Sequence, residues 1–340
     1  MEVIFLADAG VGYGLGHLIR CLEIANNLPF QREEVLFLLP DDTRIGALIN
    51  DKGFKQISLL GKKTEAEILQ HVPSILVTDF RENTTLDWEK LREYNIFIAS
   101  IDDLGRSKLK SDMVFNPNLY AGEIDYTHLP QNTRLFKGID YCILREEIRK
   151  CGLKAKTGES YKGNHKRNIL ITFGGNDRNN LSYKVCSQLI NATEYDVHVV
   201  LPVFRDPSEI VNLISGTSHI RYSHFVANIE EMYVNSDLVI CGGGTTLSEL
   251  AYLGCPTLCI PQASYEEFNA GFFESRGTLI NIGYADFSGE LFLSILGKTL
   301  NDDNLLNTMK TAGRSLIDEK GVERVASLIM EGVRSKKYEQ

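Results

Sequence analysis

A glycine-rich segment with one histidine follows the first apolar run and is the first place where this sequence could do chemistry. It reads DAGVGYGLGHLIR from Asp8 to Arg20, with His17 where a helix should begin. Glycines let the backbone approach a ligand closely, and free N–H groups at a helix start favour an anion. A helix N terminus also disfavours a charged imidazolium, which leaves a neutral ring able to accept a proton. We therefore predict that His17 acts as a general base.

The same segment has a simpler interpretation. A glycine-rich turn most often reflects tight packing between a strand and a helix, and this one matches the dinucleotide-binding fingerprint only loosely. A lone histidine is usually structural. The position of His17 at the end of a glycine loop favours the catalytic interpretation.

The second candidate site is a run of three glycines and two threonines between a strand and a helix. It reads LVICGGGTTLSELAYLGCP from Leu238 to Pro256. Such a turn can hold a diphosphate on its backbone N–H groups, and Glu249, one turn into the helix, could accept both hydroxyls of a ribose. The alternative is a helix cap at Thr245 or Thr246 with Glu249 favourable to the helix dipole. Capping and ligand binding are compatible.

Three more positions are candidates with open alternatives. Asn269 could cap a helix or bind ligand, and Gly174 and Gly175 could belong to a site or to a plain turn. Asp103, in the pair Asp102-Asp103, could hold the N-terminal glycine loop, contact a sugar or cap a turn. Neither a carboxylate pair nor a Cys/His cluster has metal-ligand spacing, so we predict no metal and no cofactor.

The elements that must position these residues alternate between strands and helices, the pattern of a parallel sheet covered by helices. Strands are predicted at Val3–Ala7, Val35–Leu39, Ile75–Thr78, Ile96–Ile101, Met113–Phe115, Asn168–Phe173, Asp196–Leu201, Leu238–Cys241 and Thr257–Ile260. Helices are predicted at His17–Asn27, Asp42–Asp51, Thr64–Gln70, Leu86–Glu93, Leu181–Leu189, Thr246–Leu253 and Asn269–Ser275. The expected domains are 1–150 and 168–302, with a polar linker at 151–167. Residues 303–340 are predicted to be helical and could pack back on the domain junction.

Composition narrows the class of protein. The chain has 340 residues, 43% of them apolar, which is enough for two cores. A net charge of -9 disfavours nucleic acid as the main partner. The seven cysteines form no C-x-x-C pair, and neither a secretory signal nor a membrane-spanning stretch is evident, so a soluble cytoplasmic protein is expected. The oligomeric state is open, with a monomer favoured.

Several motifs together resemble a known group of enzymes. These are GLGHLIRCLEIA, ILVTDF, LDWEKLR, SIDDLGR, SDMVFNPN, KGIDYCILREEI, ITFGGND and GGGTTLSELAYLGCP, spread over roughly residues 1 to 285. They resemble the PseG-type UDP-sugar hydrolases of the pseudaminic acid pathway and the related SpsG-type spore-coat polysaccharide proteins. The second half is also similar to the UDP-GlcNAc transferase MurG. The resemblance implies an α/β GT-B fold, two Rossmann-like domains whose parallel sheets face each other across a cleft.

The resemblance also implies roles for individual residues. UDP would be held mainly by the second domain, at Gly174, Gly175, Gly242, Gly243, Gly244, Thr245, Thr246, Glu249 and Asn269. The substrate would meet His17 as catalytic base, with contacts from Asp8, Gly14, Gly16, Arg20, Arg81, Asp103 and Ser248. Two positions depart from the hydrolase pattern, because Arg81 lies where a tyrosine is expected and Ser248 replaces an asparagine.

Three functions remain open at this point. The first is metal-independent, inverting hydrolysis of a UDP-linked amino or deoxy sugar, in nonulosonic acid or surface polysaccharide synthesis. The second is inverting transfer of the sugar to an acceptor by the same fold. The third is non-catalytic binding of a nucleotide sugar, which His17 disfavours. We expect hydrolysis, because the sequence shows no apolar patch for docking to a membrane-bound acceptor.

Overall fold

The computed structural model divides the chain into two compact units. The first comprises Met1–Arg145 and Lys320–Gln340, and the second comprises Glu146–Glu319. The residues that the structure describes are 2–10, 13–59, 63–80, 86–106, 109–155, 166–175, 177–202, 205–224, 226, 228–284 and 287–338.

A seven-stranded parallel sheet forms the centre of the first unit. Its strands are β1 (Val3–Ala7), β2 (Val35–Leu39), β3 (Lys55–Ser58), β4 (Ile75–Asp79), β5 (Phe97–Ile101), β6 (Met113–Asn116) and β7 (Arg134–Lys137). They lie in the order β3-β2-β1-β4-β5-β6-β7, so the direction of winding reverses between β1 and β4. Strands β1, β2, β4 and β5 are buried along their whole length, which explains their almost continuously apolar sequences.

Helices pack on both faces of this sheet. In chain order they are α1 (Gly16–Asn27), α2 (Thr43–Asp51), α3 (Thr64–His71) and α4 (Trp88–Glu93). Val3 and Phe5 of β1 belong to the core that contains α1 and α2, whereas Ile4 and Leu6 belong to the core that contains α3 and α4. The alternation of side chains along a strand therefore supplies both cores.

The second unit repeats this architecture with six parallel strands. They are β8 (Arg167–Thr172), β9 (Tyr195–Leu201), β10 (Ile220–His224), β11 (Leu238–Cys241), β12 (Thr257–Cys259) and β13 (Leu279–Asn281). Its helices are α5 (Glu146–Ala155), α6 (Leu181–Leu189), α7 (Ser208–Ile214), α8 (Ile229–Val234), α9 (Thr246–Leu253), α10 (Ser264–Ser275), α11 (Gly289–Leu300) and α12 (Asp303–Leu316). The strand order β10-β9-β8-β11-β12-β13 reverses between β8 and β11.

The last helix, α13 (Gly321–Tyr338), returns to the first unit. It packs on α1, β5 and β6, and the Lys336 ammonium donates to the Asp112 carboxylate at 3.0 Å and to the Ile96 carbonyl at 3.0 Å. Helix α12 instead packs on α9 in the second unit, where the Arg314 Nε donates to the Leu253 carbonyl at 3.2 Å. The predicted terminal segment 303–340 is therefore shared between the two units.

The α/β class with two parallel sheets is confirmed, but some elements were not predicted. The strands that were missed, β3, β7, β10 and β13, all lie at sheet edges and are partly exposed, so they lack a continuous apolar run. The predicted linker at 151–167 was wrong in its first part, because residues 146–155 form α5, which packs on α8 and α9. Burial against these helices stabilises a segment whose polar sequence gave little indication of a helix.

Among the described helices, none combines the length and the apolar composition needed to cross a membrane.

The close approach of α12 to α9 generates a prediction about stability. A Cβ added at Gly313 would lie 2.6 Å from the Ala251 carbonyl oxygen, and this backbone atom cannot move aside cheaply. We expect Gly313→Ala to lower the free energy of unfolding by about 1–3 kcal/mol, the usual cost of overpacking, although alanine favours helices. Thermal unfolding followed by circular dichroism measures this. Gly271→Ala in α10 is the matched control, since nothing lies within 4 Å of its added Cβ; equal melting temperatures for both variants would contradict the prediction.

Candidate active site

The histidine loop lies where the first sheet reverses its winding, at the carboxyl ends of β1 and β4. Ligands of open parallel sheets bind in the crevice at this point. Gly10 and Gly14 close the loop on itself, because each donates its N–H to the other's carbonyl, at 2.9 and 2.8 Å. Both glycines have positive φ, 101° and 75°, which other residues rarely adopt. These bonds occupy the Gly14 amide and give Gly14 a backbone role in shaping the loop, whereas Gly16 begins α1.

The His17 ring is hydrogen-bonded to a buried carboxylate that the sequence analysis did not select. Its Nδ1 lies 2.7 Å from Asp79 Oδ1, at the end of β4, and the Asp79 side chain has no exposed surface. An ionised carboxylate only accepts hydrogen bonds, so Nδ1 carries the proton and donates it. Among the described residues, Nε2 has no hydrogen-bond partner. The ring therefore presents a lone pair on Nε2.

Arg20, one turn further along α1, holds two carboxylates at once. Its Nε and Nη2 donate to Asp79 at 2.9 and 2.8 Å, and its Nη1 and Nη2 donate to Asp103 at 2.9 Å each. The residue is only 5% exposed. These bonds engage four of the five N–H groups of the guanidinium, so Arg20 positions both carboxylates, and its contact with substrate stays a prediction.

The cluster carries an excess of negative charge. Arg20 supplies one positive charge against the carboxylates of Asp79 and Asp103. Arg20 Nη2 also lies 3.0 Å from His17 Nδ1, but both atoms carry hydrogen and both donate to Asp79 Oδ1, so this contact is not a hydrogen bond. Positive charge that forms on the ring when Nε2 takes a proton is thus stabilised by Asp79, which opposes the effect of the helix N terminus.

Asp103 links the cluster to the loop that follows β6. The Asn118 amide donates to Asp103 Oδ1 at 2.7 Å, and Asn118 is in turn held by the Asn116 side chain at 2.9 Å. Burial raises the pKa of Asp103, but the charge and hydrogen bonds of Arg20, together with Asn118, outweigh it and lower that pKa to about 2. With 22% of its side chain exposed, Asp103 can still face a ligand.

Asp8 and Arg81 are the two other predicted substrate contacts of the first unit. Asp8 is half-buried, and its backbone N–H donates to the Asp79 carbonyl at 3.1 Å, so it continues β1 beside the cluster. Arg81 lies outside the described residues.

The triple-glycine turn of the second unit occupies the equivalent position, after β11 and before α9. Packing requires its second glycine, since an added Cβ at Gly243 would clash with the Glu266 carbonyl oxygen, whereas one at Gly242 would lie 3.2 Å from the ends of the Gln262 and Glu266 side chains. Gly244, by contrast, has nothing within 4 Å of that position. Gly244 is thus the most open glycine of the turn, and the diphosphate cradle from Gly242 to Thr246 stays a prediction.

Two side chains of helix α10 hold Gly243, one by its backbone N–H and the other by its backbone carbonyl. The Gly243 N–H donates to Glu266 Oε2 at 3.0 Å, and the Asn269 amide donates to the Gly243 carbonyl at 2.8 Å. Asn269 does not cap α10, which begins five residues earlier at Ser264. The buried Asn269 Oδ1 has no hydrogen-bond partner. The predicted Asn269 therefore adjoins the turn, together with Glu266, which the sequence analysis did not select.

The remaining positions surround the same loops. Gly174 and Gly175 are exposed in the turn after β8, where Gly174 has φ +67° and no atom near an added Cβ. Thr245 precedes α9 without a capping hydrogen bond from its side chain, so the side-chain cap considered above is not formed there. Ser248 and Glu249 are half-buried in the first turn of α9.

The chain is similar to known proteins in a domain, in its full-length sequence and in its fold. Residues 164–326 match the glycosyltransferase family 28 C-terminal domain. The chain is 24% identical to the spore coat polysaccharide biosynthesis protein SpsG of Bacillus subtilis, over 97% of this chain and 98% of SpsG. The crystal structure of Acinetobacter baumannii MurG superposes with a TM-score of 0.67 at 16% identity, covering 97% of this chain and 100% of MurG. The chain is thus SpsG-like over nearly its whole length and has the GT-B fold.

This SpsG-like protein also has a relative in an archaeon. An uncharacterized protein of Methanocaldococcus jannaschii, MJ1062, is 29% identical over 273 residues, 77% of this chain. The match covers 56% of MJ1062, so the SpsG-like chain spans little more than half of that relative. The predicted resemblance to SpsG and the predicted GT-B fold are confirmed, and the protein is glycosyltransferase-like.

Two functional candidates of the SpsG-like protein were missed for the same reason. Asp79 ends the apolar strand ILVTD, and a lone acid at the end of a buried strand next to the winding reversal is a usable signal. Glu266 lies in the first turn of α10, where an acid is ordinarily explained by the helix dipole. In both cases the partner is distant in sequence, so spacing within one motif could not show it.

The depressed pKa of Asp103 predicts how acid affects the SpsG-like protein. The pKa of Asp103 is about 2 in the folded state, against an ordinary value of 3.8. Between these two values the unfolded chain binds more protons than the folded chain, so the free energy of unfolding decreases as the pH is lowered through this range. Asp103→Asn removes this contribution. We expect the midpoint of thermal unfolding to fall less steeply in the variant than in the wild type as pH drops from about 4 to about 2. Identical slopes would show that Arg20 does not hold Asp103 charged.

Proposed function

We propose that this protein is an inverting UDP-sugar-dependent transferase that moves the sugar from UDP to an acceptor hydroxyl. The observation that carries the proposal is the His17–Asp79 pair, which fixes the ring so that Nε2 is the proton acceptor. His17 removes the proton of the attacking oxygen, and that oxygen bonds to the anomeric carbon. The bond from this carbon to the β-phosphate oxygen breaks, and UDP leaves with the electron pair. Asp79 stabilises the imidazolium that results.

The second unit supplies the site for UDP in this proposal. The open amides from Gly244 to Thr246 and the start of α9 suit a diphosphate, and Glu249 suits the ribose hydroxyls. Gly174 and Gly175 lie at the end of β8, the neighbouring strand at the winding reversal. The proposal requires a single nucleotide sugar to reach His17 as well.

The contacts of the sugar itself belong to the first unit. Asp103 keeps a partly exposed carboxylate that can accept sugar hydroxyls, and Asn118 holds it in place. Asp8 and Arg81 remain proposed contacts, and Ser248 is the proposed contact from α9. Arg20 acts indirectly, through the carboxylates that it binds.

The match to a glycosyltransferase domain favours an acceptor hydroxyl over water. Hydrolysis remains the second candidate because a specific observation supports it. The large apolar side chains of the first unit that are more than a third exposed in its described part, Tyr13, Val72, Tyr94 and Leu104, belong to separate segments. A lipid-linked acceptor would favour a contiguous apolar patch, whereas water or a soluble acceptor needs none.

Release of UDP from a panel of UDP-sugars separates the candidates. We expect little UDP from the purified protein with nucleotide sugar alone and at least a tenfold faster release when a suitable acceptor is added. Coupled detection of UDP gives the rate, and NMR of the product gives the anomeric configuration. If the protein releases UDP at the full rate without an acceptor, the reaction is hydrolysis and not transfer. If the product keeps the anomeric configuration of the substrate, a single displacement is refuted.

Replacing the proposed base tests the chemical step. His17→Ala should lower kcat on the order of 10²-fold to 10⁴-fold and leave the Kd for UDP nearly unchanged, since a general base contributes to turnover and not to nucleotide binding. His71→Ala, the same change on α3, is the matched control and should keep kcat within about twofold. Wild-type turnover in His17→Ala would remove the ring from the mechanism.

A further inference from the structure

The Glu266 carboxylate is buried against the first two glycines of the triple-glycine turn, next to the open Gly244. The residue is 7% exposed, and both the Gly243 and the Gln262 backbone N–H groups donate to one of its oxygens, Oε2, at 3.0 and 2.9 Å. Within the described ranges, no Lys, Arg or His forms an ion pair with it. Its other oxygen, Oε1, accepts a hydrogen bond from the Tyr265 hydroxyl at 3.3 Å, so among the described residues its charge is compensated by two backbone N–H groups and a hydroxyl.

The charge of Glu266 raises the pKa values of two neighbouring cysteine thiols. Burial raises the pKa of the Cys241 thiol, at the end of β11, and the Glu266 carboxylate raises it further. Burial raises the pKa of the Cys259 thiol, at the end of β12, and Cys241, Glu266 and Glu274 raise it further. Electrostatic interactions are weakly screened in such surroundings, so an anion at the turn would experience the carboxylate as well.

The surrounding groups indicate a ligand at this place. Asn269 is 7% exposed and leaves Oδ1 without a partner, although its amide is fixed on Gly243. Gly243 has both backbone groups occupied, whereas the adjacent Gly244 borders open space. Neighbouring Cα atoms are about 3.8 Å apart, so a phosphate on the Gly244 amide lies within a screening length of Glu266.

We propose that Glu266 is a specificity-determining charge that discriminates against the free terminal phosphate of UDP and so favours release of this product over the nucleotide sugar. The inference rests on the proposed function. In a UDP-sugar the β-phosphate is esterified, whereas in free UDP it titrates with a pKa of about 6 and carries almost one further negative charge above pH 7. Repulsion by Glu266 weakens UDP more than the capped diphosphate.

Substitution by glutamine isolates the charge from the geometry. Because both N–H groups donate to one oxygen, the amide oxygen of Glu266→Gln can accept both bonds while the negative charge is lost. Glu267→Gln is the matched control, since Glu267 is the exposed next residue of the same helix. Glu266→Ala also removes the charge but leaves the two amides unpaired, so we expect it to weaken the binding of both ligands in addition to reducing the discrimination between them.

The experiment is calorimetric titration of the full chain at pH 7.5 with UDP and with the methyl ester of its β-phosphate. We expect the ratio of Kd for UDP to Kd for the ester to fall about three- to tenfold in Glu266→Gln, where tenfold corresponds to about 1.4 kcal/mol. The ratio should be unchanged in Glu267→Gln. Because it compares two ligands on one sample, partial unfolding of a variant does not affect it.

The outcomes separate the two proposals. If the wild type binds both probes and the ratio does not change in Glu266→Gln, the discriminating role is overturned while the UDP site stands. If the wild type binds neither probe, the proposed function fails, and this inference fails with it. An equal fall of the ratio in Glu267→Gln would also overturn the inference, since a general charge effect would explain it.

Discussion

The burial of Arg20 between two carboxylates is the interaction on which the candidate active site depends. Asp79 ends a central strand and has no contact with solvent, so its charge is tolerated only because Arg20 forms two hydrogen bonds with it. The same guanidinium holds Asp103, which follows β5. Three elements that are distant in the chain are thus fixed by one cation, and the His17 ring takes its orientation from the carboxylate that this cation secures. Breaking such a buried network by removing one partner costs several times more than an exposed pair.

The two units use the same topology for different electrostatic tasks. In both units, the loops that carry the candidate site residues leave the sheet where its winding reverses. The crevice between the two strands at this point is open because no crossover connection covers it. The first unit fills the place with the charged side chains of Arg20, Asp79 and Asp103, beside which the His17 ring is oriented. The second offers backbone amides and the start of α9, with the Glu266 carboxylate behind them. The proposed function accordingly assigns proton transfer and anion binding to separate units of one chain.

The fold could be predicted where burial is uniform and could not where it is mixed. Strands such as β1 and β11 are buried on both faces and show an unbroken apolar run, so their bounds followed from the sequence. Strand β10 has only Ile220 buried and carries polar side chains on both sides, which hides its period. Helix α5 is stabilised by contact with α8 and α9, and this packing is not written in its own residues.

The sequence by itself determined the α/β class, the histidine at the start of α1 and the glycine turn before α9, because each is a local pattern of residue types along a few turns of chain. Only the tertiary structure decided what these residues contact. It showed that Arg20 binds both Asp79 and Asp103, and that Gly243 packs closely against Glu266. The physical reason is that a hydrogen bond or a steric limit depends on distances between atoms, and residues 59 or 23 positions apart are brought within 3 Å only by the fold.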